Sequence, residues 1–198
     1  MREGESRSAH PTPGGKGVGP DVHALGVVIL LLLGFGCAGA KPDLVVYSYP
    51  IQPWGKAVLI EHFAFDPRSS TKVNPAAVER FGELIALDIQ RFLGNAHFDH
   101  PLVIAPGEAA RGDFLIRGTI RRVYGGDARE RRSLELFGFG ATEVRVEGEV
   151  IDLAASRSAV AFSLAKQSSY TWMDNESAVR ENLRAIAREI AAILIQTK

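Results

Sequence analysis

The sequence predicts an α+β two-layer domain in the order β-α-β-β-β-β-α, a mostly antiparallel sheet with two helices on one face. Two observations predict it. Apolar residues recur at spacings of 3 and 4 in two separate stretches, Val78 to Phe92 and Val179 to Ile193, the period of a helix with one buried stripe. Between them, several stretches alternate apolar and polar, the period of a sheet with one solvated face. The chain has 198 residues, 46% of them hydrophobic, which suits one packed domain with an extension. Its formal net charge is zero, which argues against a general nucleic-acid binder.

The elements follow in order. Residues 1–36 read as a polar n-region plus signal peptide, 37–55 as a tether, and 56–198 as the α+β domain. In the tether, Pro42, Pro50, Pro53 and Gly55 interrupt any regular element, and Leu44-Val45-Val46-Tyr47 is too short to assign. Ala57 to Phe65 is the first strand, ended by Asp66-Pro67. Asn74-Pro75 opens the first helix, because Asn caps free backbone N–H groups and Pro suits the first helical position. Its stripe is Val78, Phe81, Ile85, Ile89 and Phe92, and Gly94-Asn95 ends it. Leu102 to Ala105 is a short strand. Phe114 to Tyr124 puts Phe114, Ile116 and Ile120 on one face and Arg117, Thr119 and Arg121 on the other. Ala141 to Leu153 puts Val144, Val146 and Val150 against Glu143, Arg145, Glu147 and Glu149. After a turn at Ala154 to Ser158, Val160, Phe162 and Leu164 mark a further antiparallel strand. The last helix starts at Asp174-Asn175 and ends near Ile195, with Val179, Leu183, Ile186, Ile190 and Ile193 inward and Arg180, Arg184 and Arg188 outward.

Ala24 to Ala40 runs seventeen residues without a charge and ends in small residues around Cys37. A short apolar core with that ending is the pattern of a secretory signal. It resembles a bacterial lipoprotein signal, in which the cysteine is acylated and becomes the new N-terminus. Gly36 stands where that signal needs a small residue, while Leu33 is one place early and Phe35 is bulky. The resemblance implies a lipid anchor on Cys37. Ala38 in place of aspartate implies the outer membrane, with the domain facing the periplasm. An uncleaved N-terminal anchor and a plain signal cleaved near Ala38-Gly39-Ala40 remain alternatives.

Candidate chemistry is sparse. His97, Asp99 and His100 could contribute metal ligands, but their spacing matches no metal motif and reads better as a polar loop. Glu61 and His62 are neighbours on a strand and are expected to point to opposite faces. Ser168-Ser169 has no nearby histidine, and Gly138-Phe139-Gly140 leads into a strand and not a phosphate-binding helix. The sixteen residues Gly125 to Gly140 exceed common hairpin length. Arg129, Arg131, Arg132, Leu134, Leu136, Phe137 and Phe139 there form a candidate partner-contact loop; packing on the core is the rival reading. Tyr170 and Trp172 could line a groove or fill a core edge.

Gly112-Asp113-Phe114-Leu115-Ile116-Arg117-Gly118-Thr119-Ile120, Phe137-Gly138-Phe139-Gly140-Ala141 and Glu147-Gly148-Glu149-Val150-Ile151-Asp152 together resemble a bacterial lipoprotein family classed as domain of unknown function 4410. Thr142 and the glycine-free turn Ala154 to Ala159 depart from that family's pattern. The wider fold resembles the CsgG and LpoB lipoproteins of the outer membrane. The former forms a secretion pore, the latter activates a cell-wall synthase, and neither is an enzyme. The expectation is therefore a non-enzymatic outer-membrane lipoprotein without cofactor or metal. It would bind the membrane through acylated Cys37 and touch an envelope protein or peptidoglycan. The alternative is a periplasmic small-ligand carrier with a pocket lined by Phe81, Phe92, Phe162 and Trp172.

Overall fold

The computed structural model of the chain describes residues 43–66, 70–71, 73–78, 80–99, 101–127, 141–168 and 173–196. They form an α+β fold with a mixed, mostly antiparallel sheet. The strands are β1 (Leu44–Tyr47), β2 (Val58–Glu61), β3 (Ala64–Phe65), β4 (Ser70–Thr71), β5 (Leu102–Ile104), β6 (Phe114–Tyr124), β7 (Thr142–Asp152) and β8 (Arg157–Ser168). The helices are α1 (Pro75–Val78), α2 (Phe81–Asn95) and α3 (Asn175–Ile195). The sheet runs β1-β8-β7-β6-β2-β5, with β3 and β4 continuing along β6 beyond β2.

The three long strands β6, β7 and β8 pair antiparallel in sequence order, as their alternation predicts. One expectation is corrected: four strands, not one, precede the first helix. Strand β2 is parallel to both β5 and β6 within a sheet that is otherwise mostly antiparallel. Elements of two to four residues carry too few positions to show a period, so pattern alone does not reveal them. Leu44–Tyr47, inside the span read as tether, is an edge strand antiparallel to β8.

The expected strand Ala57 to Phe65 is broken for a reason visible in the register. Ile60 sits opposite Ile116 and Ala64 opposite Thr119, so three residues (Glu61, His62, Phe63) face two (Arg117, Gly118). The extra residue reverses the inward face: Val58 and Ile60 are inward before it, Phe63 after it. The Phe63 ring takes the space above Gly118, and the Phe162 ring does the same above Gly148, the residue paired with Gly118 across β6 and β7. A Cβ at either position would collide with those rings, which is the physical need for glycine at both 118 and 148.

The first helix is likewise two pieces. Asn74 Oδ1 accepts the Ala76 N–H at 3.1 Å and starts α1 as the Asn-Pro signal implies. The long helix restarts after Arg80, where Gly82 lies against Phe63 just before β3: the Phe63 N–H donates to the Gly82 carbonyl at 3.1 Å. At the other end, the His97 N–H donates to the Gly94 carbonyl (3.0 Å) and the Phe98 N–H to that of Leu93 (3.1 Å). This is a Schellman stop, with His97 in the left-handed region at φ 63° and buried Phe98 and Leu93 at its apolar positions. Asp174 caps α3, accepting the Ser177 N–H at 2.8 Å and its hydroxyl at 2.9 Å.

Both helical stripes join one core with Phe114, Ile116, Ile120, Val144, Val146, Val150, Phe162 and Leu164. Helix α2 packs on β2 and β5, α3 on β7 and β8, and the two helices on each other. On the opposite side, β6 and β7 carry a set of charged residues, among them Arg117, Arg121, Glu147 and Glu149.

Candidate functional site

That charged side is organised by the strands. Arg117 and Glu149 are directly paired across β6 and β7, and the guanidinium donates to Glu149 Oε1 through Nε (2.9 Å) and Nη2 (2.7 Å). Arg121 Nε donates to Glu147 at 2.9 Å, and Arg122 lies 3.6 Å from Glu143. A second irregularity in β6, between Ile120 and Arg122, returns Val123 to the core and leaves Arg121 and Arg122 both outside. The earlier one, at residues 61–63, does the same for Glu61 and His62. The expectation that Glu61 and His62 point apart is thereby overturned: both line one groove, because the extra residue breaks strand alternation between them.

The groove has a volume of about 430 Å³ and is lined chiefly by Glu61, His62, Arg117, Thr119, Glu147 and Glu149. Glu61 Oε1 accepts the Gly107 N–H at 3.1 Å, which ties the loop after β5 to its rim. The arginine side chains are half exposed (Arg117 52%, Arg121 50%). Ion pairs so exposed are worth only about 0.2–1 kcal/mol, so a ligand carboxylate or cation can exchange with them at little cost. The arrangement suits reversible polar contact. Among the described residues no serine or cysteine lines the groove, and Thr119 supplies its only hydroxyl.

The other candidates drawn from the sequence separate. His97 is the left-handed residue of the α2 stop, a backbone role that accounts for its place; Asp99 is exposed beside it, and His100 lies outside the described residues. Ser168 is buried, its hydroxyl 2.7 Å from that of Thr142, while Asn182 Nδ2 donates to Thr142 Oγ1 at 3.0 Å. Hydrophobic patterning does not reveal this polar cluster. The signal for it is an asparagine beside Leu183 on the apolar side of α3. Lys166 is equally silent in the pattern. It donates to Glu189 at 2.6 Å and Asp43 at 3.0 Å. Burial alone would lower the Lys166 pKa, but hydrogen bonds and charge from Glu189 and Asp43 outweigh it and raise the value.

Phe81 and Phe162 are packed in the core, and Phe92 lies under the Arg188 guanidinium at 5.3 Å. Trp172, Tyr170, Ser169 and Cys37 lie outside the described residues. So do Arg129, Arg131, Arg132, Leu134, Leu136, Phe137, Gly138, Phe139 and Gly140. Among the described residues no helix is long and apolar enough to cross a membrane.

No family model matches the chain, and no curated protein matches it. Solved structures similar to it include a PelC dodecamer from Paraburkholderia phytofirmans, at 10% identity and TM-score 0.48, covering 75% of this chain and 97% of that one. Protein XCC0632 from Xanthomonas campestris is 12% identical with TM-score 0.47, covering 75% and 90%. Lipoprotein GNA1162 from Neisseria meningitidis is 13% identical with TM-score 0.38, covering 69% and 98%.

Proposed function

We propose that this chain is an exported lipoprotein of the bacterial outer membrane, held by an acyl chain on Cys37, whose domain works by binding another envelope component and not by turnover. The observation that carries the binding reading is the open side of β6, β7 and β8. Helices cover one side of this sheet, while the other presents a groove whose ion pairs are exposed enough to be exchanged. The leader ending at Cys37 supports the anchor, and the resemblance to the lipoprotein family of domain of unknown function 4410 supports the location. Arg129, Arg131, Arg132, Leu134, Leu136, Phe137 and Phe139, between β6 and β7, extend the contact surface in this reading. An envelope protein or peptidoglycan is the partner.

Two measurements test it. Cys37→Ala should move the protein out of the membrane fraction; unchanged membrane association rejects the acyl anchor. A photo-crosslinking residue at Thr119 should capture an envelope component in whole cells, and reversing both charges at Arg117 and Arg121 should abolish capture. Capture that survives the double reversal removes the groove from the binding surface.

A further inference from the structure

The edge strand β1 carries a second feature. Leu44, Val46 and Tyr47 are 57%, 48% and 46% exposed, three of the five large apolar side chains left exposed among the described residues. Leu44 and Val46 pair with Ser163 and Ala161 and stand on the groove side of the sheet. Tyr47 pairs with Val160 and stands on the helix side. Apolar surface therefore wraps around the edge of the sheet, where an unguarded strand would invite association. Just beyond β1, the exposed Arg157 guanidinium sits 4.0 Å from the centre of the Tyr49 ring and adds a cation to the same border.

We infer that this edge rests on the lipid surface of the membrane that holds the anchor. The inference rests on the anchor proposed above, and chain length carries it from there. Six peptide links join Cys37 to Asp43, at most about 22 Å of chain at roughly 3.6 Å per residue. A backbone hydrogen bond and an ion pair together hold Asp43 to the domain. Its carboxylate accepts the Ala165 N–H at 2.7 Å and meets Lys166 at 3.0 Å, and Lys166 also holds Glu189 on α3. The residue that ties the tether to the domain is thus the one next to β1, and the short tether brings this edge, before any other, to the bilayer. Leu, Val and Tyr with a neighbouring Arg suit the boundary between headgroups and acyl chains, where apolar and aromatic side chains gain burial and a guanidinium meets phosphate. A protein strand added to the edge is the weaker occupant, because four residues provide few ladder hydrogen bonds.

The test uses the full-length protein in isolated membranes. Its single cysteine is consumed by the anchor, so Leu44→Cys or Val46→Cys supplies the one thiol for an environment-sensitive maleimide dye. Leu87→Cys, on α2 at the far end of the sheet and 42% exposed, is the reference. Dye at positions 44 and 46 should emit to the blue of dye at 87. Spin-labelled lipid should quench it several-fold more strongly. Water-like emission at all three positions overturns the inference. A blue shift that lipid quenchers leave untouched also overturns it and assigns the edge to a protein strand. The detergent-unfolded parent, which has only Cys37, reports on the anchor separately. If it takes up dye, the thiol is free and the failure lies in the anchor; if it stays blank while positions 44 and 46 remain wet, the failure lies in the β1 contact.

Discussion

Gly82→Ala separates local propensity from tertiary packing, because the two predict opposite signs. Gly82 is the second residue of α2, and in a helix alanine is favoured over glycine by about 0.8–1 kcal/mol. The fold places it against Phe63, in the bulge just before β3. A Cβ there would collide with the Phe63 carbonyl oxygen and lie 3.1 Å from the carbonyl carbon and 3.4 Å from the amide nitrogen. All three are backbone atoms, so no side chain can rotate away. Relief requires α2 to lift from the sheet, which costs about 1–3 kcal/mol as overpacking. It also weakens the bond from the Phe63 N–H to the Gly82 carbonyl, worth about 0.5–1.5 kcal/mol. Set against the propensity gain, the net is a loss of roughly 1–3 kcal/mol. Urea unfolding followed by circular dichroism should show a lower midpoint with an unchanged slope. A midpoint equal to or above that of the parent would refute the close approach of α2 to the Phe63 backbone. Gly94→Ala, where a Cβ meets nothing within 4 Å, is the control that should not lose stability by this route.

Three further outcomes follow from the same geometry. His97→Gly should raise stability by about 0.5–1 kcal/mol, seen as a higher melting temperature, since a left-handed residue without a Cβ is unstrained; a lower melting temperature would assign the imidazole a contact of its own. Asp174→Ala should cost about 1 kcal/mol by removing the α3 cap. The Ser177 N–H and hydroxyl hold the Asp174 carboxyl below its ordinary 3.8 in the folded protein, so its contribution is whole above 3.8 and fades as pH falls through the lower folded value; Asp174→Asn should flatten that part of the acid unfolding curve, and an identical curve would count against it. Asn182→Ala should cost about 1–3 kcal/mol by stripping Thr142 of a buried donor and opening a small void. Combined with Thr142→Val, the losses should be less than additive, which a double-mutant cycle measures directly.

The periodic elements were legible from the residues alone. Helix α3 begins at its Asp-Asn signal and buries the five apolar residues assigned to its stripe, and the faces of β6 and β7 match their alternation until the chain slips by one residue. Helix and strand periods record which side of an element meets the core, and that is a local property. Only the tertiary structure decided which neighbour each element has: β2 parallel to β5 and β6, β1 beside β8, and Asp43 on Lys166. The groove belongs to the same class. Its charges were legible one strand at a time, but Glu61 and His62 share it because an extra residue opposite Arg117 and Gly118 reverses the facing of the chain. A bulge is specified by the partner strand and by the ring that fills the space over Gly118, so no window of sequence around residue 62 contains it.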